Sequence, residues 1–203
     1  MNELSPALAG LGFGLSLIVA IGSQNAYVLR QGLRREHVGG VVVLCIASDA
    51  VLIAAGVAGF GSLVSRAPLV LDAVRVLGAL FLLGYAAMAA GRALRPGALV
   101  AGNGSGPRTR AQVLTTGLAL TWLNPHVYLD TVLLLGTIAG THGSGRWAFG
   151  AGAIAGSTLW FSVLGHGARL LRPLFARAVA WRVLDALIAT TMTVIAISLL
   201  RGS

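Results

Sequence analysis

Charged residues are scarce in this chain, and lysine is absent. Only 10% of its 203 residues are charged, whereas 56% are hydrophobic. A soluble domain usually carries about 25% charged residues, so this composition could not cover a protein surface in water. All 15 basic residues are arginine, and the formal net charge is +9. The composition therefore excludes an ordinary soluble domain and predicts an integral membrane protein.

Cysteine and the common catalytic motifs are also nearly or wholly missing. The single cysteine, Cys45, excludes an intrachain disulfide and a cysteine-based metal site. The sequence has no nucleophile elbow, no His-Glu-x-x-His zinc motif and no phosphate-binding glycine loop. We therefore predict a protein that is not an enzyme and holds no cofactor or metal. The first basic residue, Arg30, follows the first apolar run, so no cleavable signal peptide is expected.

Six apolar windows are long enough to cross a bilayer, which requires about 20 mostly apolar residues per helix. The windows are Ala7–Leu29, Gly40–Val64, Leu69–Ala90, Val113–Ile138, Trp147–Leu164 and Val183–Leu200. The predicted fold class is therefore all-α integral membrane, with six transmembrane helices in a single membrane domain, residues 1–203.

The longest connection, residues 91–111, contains glycine, serine and proline and is typical of a flexible cytoplasmic linker loop. It separates a first three-helix half, residues 1–90, from a second, residues 112–203. Residues 24–29 (QNAYVL) are similar to residues 124–129 (NPHVYL). Because three spans per half is an odd number, the halves would be inverted repeats, as in secondary transporters with a substrate site between repeats.

The arginines are concentrated in alternate connections. Eleven lie in the first, third and fifth predicted loops, and four lie on the other side. Positively charged loops stay in the cytoplasm, so we predict a multi-pass protein of the plasma (inner) membrane with both termini outside. Arginines placed between apolar spans favour contact with anionic membrane lipid and argue against nucleic-acid binding.

Two carboxylates fall inside predicted spans without an arginine close in sequence. They are Asp49 in the second span and Asp130 in the fourth. A charge at mid-membrane costs about 2.5–3.5 kcal/mol on insertion scales, so such residues mark candidate functional sites. We expect both to bind a cationic substrate or to carry a proton. The alternative is a structural polar contact inside the bundle.

The first span carries four small or polar residues in a row, Gly22, Ser23, Gln24 and Asn25. Two adjacent amides need hydrogen-bond partners and cannot face lipid. Gly22 and Ser23 weaken the helix at this point. The pattern predicts a broken helix that lines a cavity, where polar backbone is tolerated. A plain helix end near the cytoplasmic interface is the alternative.

The fourth span carries Asn124, Pro125 and His126. Proline has no backbone N–H, so a second helix break is expected here, with the carbonyl of Thr121 freed. His126 and Asp130 are four residues apart and share a helix face. An imidazole and a carboxylate at that spacing could relay a proton or ligate a metal.

Two other aspartates and two glycine pairs have structural interpretations. Asp72 with Arg75 and Asp185 with Arg182 are predicted as helix-end ion pairs at a spacing of three residues. A spacing of four small residues allows helices to approach closely and indicates tight helix packing. That spacing occurs in Gly10 with Gly14 and in Gly152 with Gly156.

Several separated motifs resemble the signatures of the lysine/arginine exporter (LysE-type) family, and the resemblance covers nearly the whole chain. The matching runs are residues 22–32 (GSQNAYVLRQG), residues 48–53 (SDAVLI) with residues 56–61 (GVAGFG), and residues 124–131 (NPHVYLDT). The chain lacks the Pro-Gly-Pro run of the related threonine/homoserine branch. It also has Ser23 where many family members have proline.

The resemblance implies export of lysine or arginine from the cytoplasm, driven by an ion gradient, and places the family's intramembrane aspartates at Asp49 and Asp130. On this reading Gln24, Asn25, Asn124 and His126 join them in substrate binding or proton coupling. Exporters of neutral amino acids or of a divalent metal cation are the alternatives. A homo-oligomer is compatible with the sequence.

Overall fold

The computed structural model describes residues 3–19, 22–60, 68–94, 109–171 and 173–201, and within these ranges the chain is helical without β-strands. The helices in chain order are α1 Leu4–Ile18, α2 Ser23–Arg34, α3 Val38–Val57, α4 Pro68–Leu94, α5 Arg110–Trp122, α6 Pro125–Val127, α7 Leu135–Thr141, α8 Arg146–Gly167 and α9 Ala178–Arg201. A π-helical segment, Tyr128–Leu134, joins α6 to α7, and short 3₁₀ turns flank α8 and precede α9.

Four helices in the described ranges are long and apolar enough to cross a membrane, namely α3, α4, α8 with its flanking turns, and α9. The bent pair of α1 and α2 makes a fifth if the two count as one span. The segment Tyr128–Thr141 is apolar but shorter. The predicted all-helical class is confirmed, whereas the count of six transmembrane helices stays a prediction.

The first and fourth predicted windows are each divided into shorter helices. The axes of α1 and α2 differ by 81°, so Ala7–Leu29 is not one continuous helix. In the fourth window, α5 ends at Trp122 and α6 begins at Pro125. Both divisions fall where glycine or proline interrupts the helix, as the sequence predicts.

The helices α1 and α8 pack face to face through the two predicted glycine pairs. A Cβ atom on Gly10 would overlap the backbone carbonyl of Phe149, and one on Gly152 would overlap the carbonyl of Ala7. Only glycine allows backbones to approach this closely. The prediction that these residues mediate tight helix packing is therefore confirmed, and the two pairs turn out to serve the same interface.

The helices α4 and α9 form a second extensive pair, and α3 packs against α8. Tyr27, Leu82, Ile188 and Met192 are almost fully buried in the larger core cluster, which joins α2, α4 and α9. The outward faces of α3, α4, α8 and α9 carry exposed large apolar side chains, which is typical of lipid-facing surfaces. Residues 95–108 of the predicted linker and residues 61–64 of the second window lie outside the described residues. The helix α4 extends past the predicted end of the third window to Leu94.

Candidate functional site

At the break between α1 and α2, the side chain of Asn25 replaces a helical hydrogen bond. Gly22 precedes α2 with an extended backbone, φ −110° and ψ 179°. The Asn25 side-chain nitrogen donates to the Ile18 carbonyl, one of those left without a helical partner at the end of α1. The Asn25 oxygen accepts a hydrogen bond from the Trp160 indole at 3.2 Å. Asn25 therefore fixes the geometry of the break and ties it to α8.

Asn124 makes two hydrogen bonds across the break between α5 and α6. Its side-chain oxygen accepts from the backbone N–H of His126 at 3.2 Å. Its own backbone N–H donates to the Thr121 carbonyl at 3.4 Å. The prediction that this carbonyl is freed was therefore wrong: Pro125 cannot supply a donor, but the chain turns so that Asn124 supplies one.

The two breaks border one cavity of about 270 Å³. This volume is near the lower end of the range for small-molecule sites, about 300–1,000 Å³. Apolar walls come from α1, α6, α8 and α9, through Leu17, Ile18, Val127, Phe161 and Ile195. The polar lining contains every predicted site residue except Pro125, and adds Thr131: Gly22, Ser23, Gln24, Asn25, Asp49, Asn124, His126, Asp130 and Thr131.

Asp49 is 5% exposed and reaches the cavity from the middle of α3. One of its carboxylate oxygens, Oδ2, accepts a hydrogen bond from the hydroxyl of Ser157 at 2.6 Å. Ser157 lies on α8 and is fully buried. Sequence reasoning missed Ser157, because a serine in an apolar helix gives no signal of a partner 108 residues away. No arginine pairs with Asp49 in the described part of the chain.

Gln24 lies beside the Asp49 carboxylate, on the first turn of α2. Its side chain is close enough to interact with that carboxylate, but its buried nitrogen makes no hydrogen bond of normal length and angle with the described residues. A buried donor without an acceptor costs about 1–3 kcal/mol. The atom is therefore well placed to donate to a ligand in the cavity that Gln24 lines.

Asp130 lies in the π-helical segment and is the more exposed of the two cavity carboxylates. Neither of its oxygens accepts a hydrogen bond from the residues that the structure describes, although His126 interacts with it electrostatically. His126, one turn earlier, lines the same cavity, so the predicted shared face is confirmed. Segments of π-helix are rare and occur frequently at functional sites.

A buried ionic cluster, formed by Arg30, Arg92 and Asp185, was not predicted. Arg30 on α2 and Arg92 on α4 both pair with the same carboxylate oxygen of Asp185 on α9, the Arg92 contact being 3.1 Å. Asp185 has no exposed surface. The predicted ion pair of Asp185 with Arg182 was wrong, because Asp185 faces the helix interface toward α2 and α4. The sequence offered no pattern linking residues 155 and 93 positions apart.

Within the described ranges, no three His, Cys, Asp or Glu side chains come together in a way that could hold a metal ion. The cavity thus combines two carboxylates, an imidazole and several amides. Two of its borders are interrupted helices, whose ends expose polar backbone. Such a lining can bind a small molecule that carries positive charge.

The model of the family described as LysE type translocator matches residues 15–203 of the chain. The chain belongs to this family. It is 52% identical over 186 residues to a Mycobacterium tuberculosis protein provisionally named an amino-acid transporter, with 92% of each chain covered. It is 37% identical over 222 residues to the lysine exporter LysE of Corynebacterium efficiens, covering 95% of this chain and 97% of that one.

The chain is also 40% identical over 202 residues to the arginine exporter protein ArgO of Yersinia enterocolitica, covering 98% of this chain and 97% of that one. No solved structure matches the chain significantly. Membership of the LysE-type family, together with several long apolar helices, identifies a multi-pass membrane protein and an amino-acid exporter whose substrate is a small molecule. Proteins of this family are exporters and not enzymes.

Proposed function

We propose that this protein exports basic L-amino acids, lysine and arginine, from the cytoplasm across the plasma membrane, driven by the proton gradient. The observation that carries the proposal is the cavity itself. It contains Asp49 and Asp130, and no arginine pairs with either carboxylate in the described residues. Carboxylates in such a setting attract a cationic solute.

The named relatives support the same substrate class, since one is a lysine exporter and another an arginine exporter. Both are covered almost end to end by this chain, so the matched region spans the segments that carry the helix breaks and both aspartates. In the proposed site, Asp49 and Asp130 bind the cationic groups. Gln24, Asn124 and His126 provide further polar contacts, while Gly22, Ser23 and Pro125 maintain the breaks, as does Asn25.

Proton coupling follows from the same carboxylates in this proposal. A proton that enters from outside and binds to an aspartate removes the charge that holds the substrate. His126, which shares the cavity with Asp130, relays the proton. Substrate and proton therefore compete for the site, and exchange between them drives export.

Alternating access would come from movement of two inverted halves around the cavity. The order of elements supports this proposal, because each half contains an interrupted helix followed by two long helices. In the first half these are α1 with α2, then α3 and α4. In the second they are α5 with the segments through α7, then α8 and α9. The cavity is lined by both halves, and we propose that both termini lie outside.

The proposal is tested by efflux from cells that lack their own lysine and arginine exporters. Dipeptide feeding loads such cells with either amino acid, and labelled efflux is then compared with and without this protein. We expect faster efflux of both amino acids with the wild type. Asp49→Asn and Asp130→Asn should each reduce the protein-dependent rate to background.

Asp72→Asn provides a matched control, because Asp72 is an exposed carboxylate on α4 and does not line the cavity. It should leave efflux unchanged. If cells with membrane-inserted wild-type protein release lysine and arginine no faster than cells without it, the substrate assignment is contradicted. Full efflux with either cavity variant would remove that aspartate from the mechanism.

A further inference from the structure

The two cavity aspartates present their oxygens differently, and this difference bears on which part of a substrate each one binds. Asp49 is almost buried, and Ser157 occupies its Oδ2 through a 2.6 Å hydrogen bond. One carboxylate oxygen is left for a ligand. A single buried oxygen suits a compact primary ammonium group, whereas a guanidinium group is planar and is best bound by two oxygens.

Gln24 provides a donor next to that oxygen. Its side chain interacts with the Asp49 carboxylate, yet its buried nitrogen has no hydrogen bond of normal length and angle in the described residues and can turn to a ligand. An α-amino acid carries its ammonium and its carboxylate on the same carbon atom. A carboxylate acceptor and an amide donor placed side by side therefore complement the pair of groups that all α-amino acids share.

Asp130 differs from Asp49 in its exposure and in the number of carboxylate oxygens that are available to a ligand. It is the more exposed of the two, and neither of its oxygens accepts a hydrogen bond in the described part of the chain, where His126 is the group that interacts with it electrostatically. It comes from a different element, the π-helical segment, and so reaches a different part of the ligand. Two available oxygens can bind an ammonium group or form paired hydrogen bonds to a guanidinium group.

We propose that the cavity binds its substrate in one orientation. Asp49 binds the α-ammonium group, Gln24 binds the α-carboxylate, and Asp130 binds the cationic end of the side chain. Ser157 is a positioning residue that holds Asp49 for this task. Asp130 is then the residue that selects basic over neutral amino acids, while Asp49 is required for every α-amino acid. This assignment rests on the proposed function.

Direct binding to purified protein tests the orientation, measured as tryptophan fluorescence. Trp160 and Trp122 hydrogen-bond to the cavity residue Asn25 and to Ser48, next to Asp49, and can report occupancy. Four ligands are compared: lysine, norleucine, which lacks the side-chain ammonium, arginine, and agmatine, which lacks the carboxylate. In the wild type, norleucine and agmatine should each bind about tenfold or more weakly than their parent, because one charged hydrogen bond is lost.

The variants separate the two ends of the ligand. Asp130→Asn should weaken the binding of lysine about tenfold or more, while the affinity for norleucine stays within about threefold of the wild-type value. Asp130→Glu, which keeps the charge, should retain the preference for lysine. Gln24→Ala should reduce the difference between arginine and agmatine to about threefold or less. Asp49→Asn should weaken all four ligands.

The role of Ser157 is tested beside its neighbour on α8. Ser157→Ala should weaken the binding of lysine and of norleucine by the same factor, because Asp49 binds the α-ammonium group that both ligands contain. Thr158→Ala is the control, since Thr158 is exposed and its hydroxyl donates to the Ile154 carbonyl of its own helix. It should change neither affinity.

The inference is overturned if Asp130→Asn weakens norleucine as much as lysine, if Gln24→Ala leaves the preference for arginine over agmatine intact, or if Ser157→Ala behaves like the control. Its failure can be told from failure of the proposed function. A wild type that binds and exports lysine but shows those results contradicts only the orientation. A wild type that neither binds nor exports lysine or arginine contradicts both.

Discussion

Neutralising Asp185 should destabilise this protein more than neutralising any exposed carboxylate. Asp185 has no exposed surface, and Arg30, its partner on α2, is 6% exposed. Removing one member of a buried ion pair leaves the other charge without compensation, which typically costs about 3–5 kcal/mol. The second partner, Arg92, retains 24% side-chain exposure. Its pair with Asp185 is therefore partly solvated and should contribute about 1 kcal/mol or less.

These values give an order of effects for three single variants. Asp185→Asn should lower the free energy of unfolding by about 3–5 kcal/mol, Arg30→Gln by less than that because Arg92 still pairs with Asp185, and Arg92→Gln by about 1 kcal/mol. The assay is equilibrium unfolding of purified protein in mixed micelles of a mild detergent and SDS. A double-mutant cycle of Arg30→Gln with Asp185→Asn should show strong coupling, because the charge left unpaired by either single change is absent in the double variant.

Asp72→Asn again serves as the control, with an expected loss within about 0.5 kcal/mol, as for most surface substitutions. Two results would refute the reasoning. One is an Asp185→Asn variant as stable as the control. The other is an Arg92→Gln variant less stable than Arg30→Gln, which would mean that the exposed arginine and not the buried one compensates the aspartate.

Two further predictions concern the helix packing, and each is tested by the same unfolding assay. Gly10→Ala would press a methyl group into the backbone of Phe149 and should cost about 1–3 kcal/mol or prevent folding, whereas Gly12→Ala, with open space around it, should be neutral or slightly stabilising. Equal effects would contradict the close approach of α1 and α8. Tyr27→Phe removes the 2.8 Å hydrogen bond to the buried Val113 carbonyl and should cost about 1 kcal/mol; no loss would mean that this bond is replaced by another donor.

Much of the site could be predicted from the sequence, because its chemistry is expensive inside a membrane and therefore visible. Asp49 and Asp130 stood out as charges in apolar runs, and both line the cavity. The two helix breaks were marked by Gly22 and Pro125, residues whose effect on a helix is local. Local rules therefore located both the charged groups and the points where the chain departs from a helix.

What could not be predicted depends on contacts between distant parts of the chain. Ser157 is an ordinary helical residue until α8 packs against α3 and places its hydroxyl on Asp49. Asp185 has Arg182 close by in sequence, yet its position on the inner face of α9 selects Arg30 and Arg92. The freed carbonyl expected at Thr121 found a donor in Asn124 because the turn geometry was unknown. Periodicity and spacing within one helix carry no information on such partners.

In the proposed mechanism, both cavity aspartates bind the basic amino acids that the protein exports. The most direct test is transport by purified protein in proteoliposomes, with labelled lysine or arginine inside and a proton gradient imposed across the membrane. We predict gradient-dependent efflux of both amino acids by the wild type and by Asp72→Asn, and none by Asp49→Asn or Asp130→Asn. Efflux by either cavity variant at the wild-type rate, or no efflux of either amino acid by the wild type, would contradict the account.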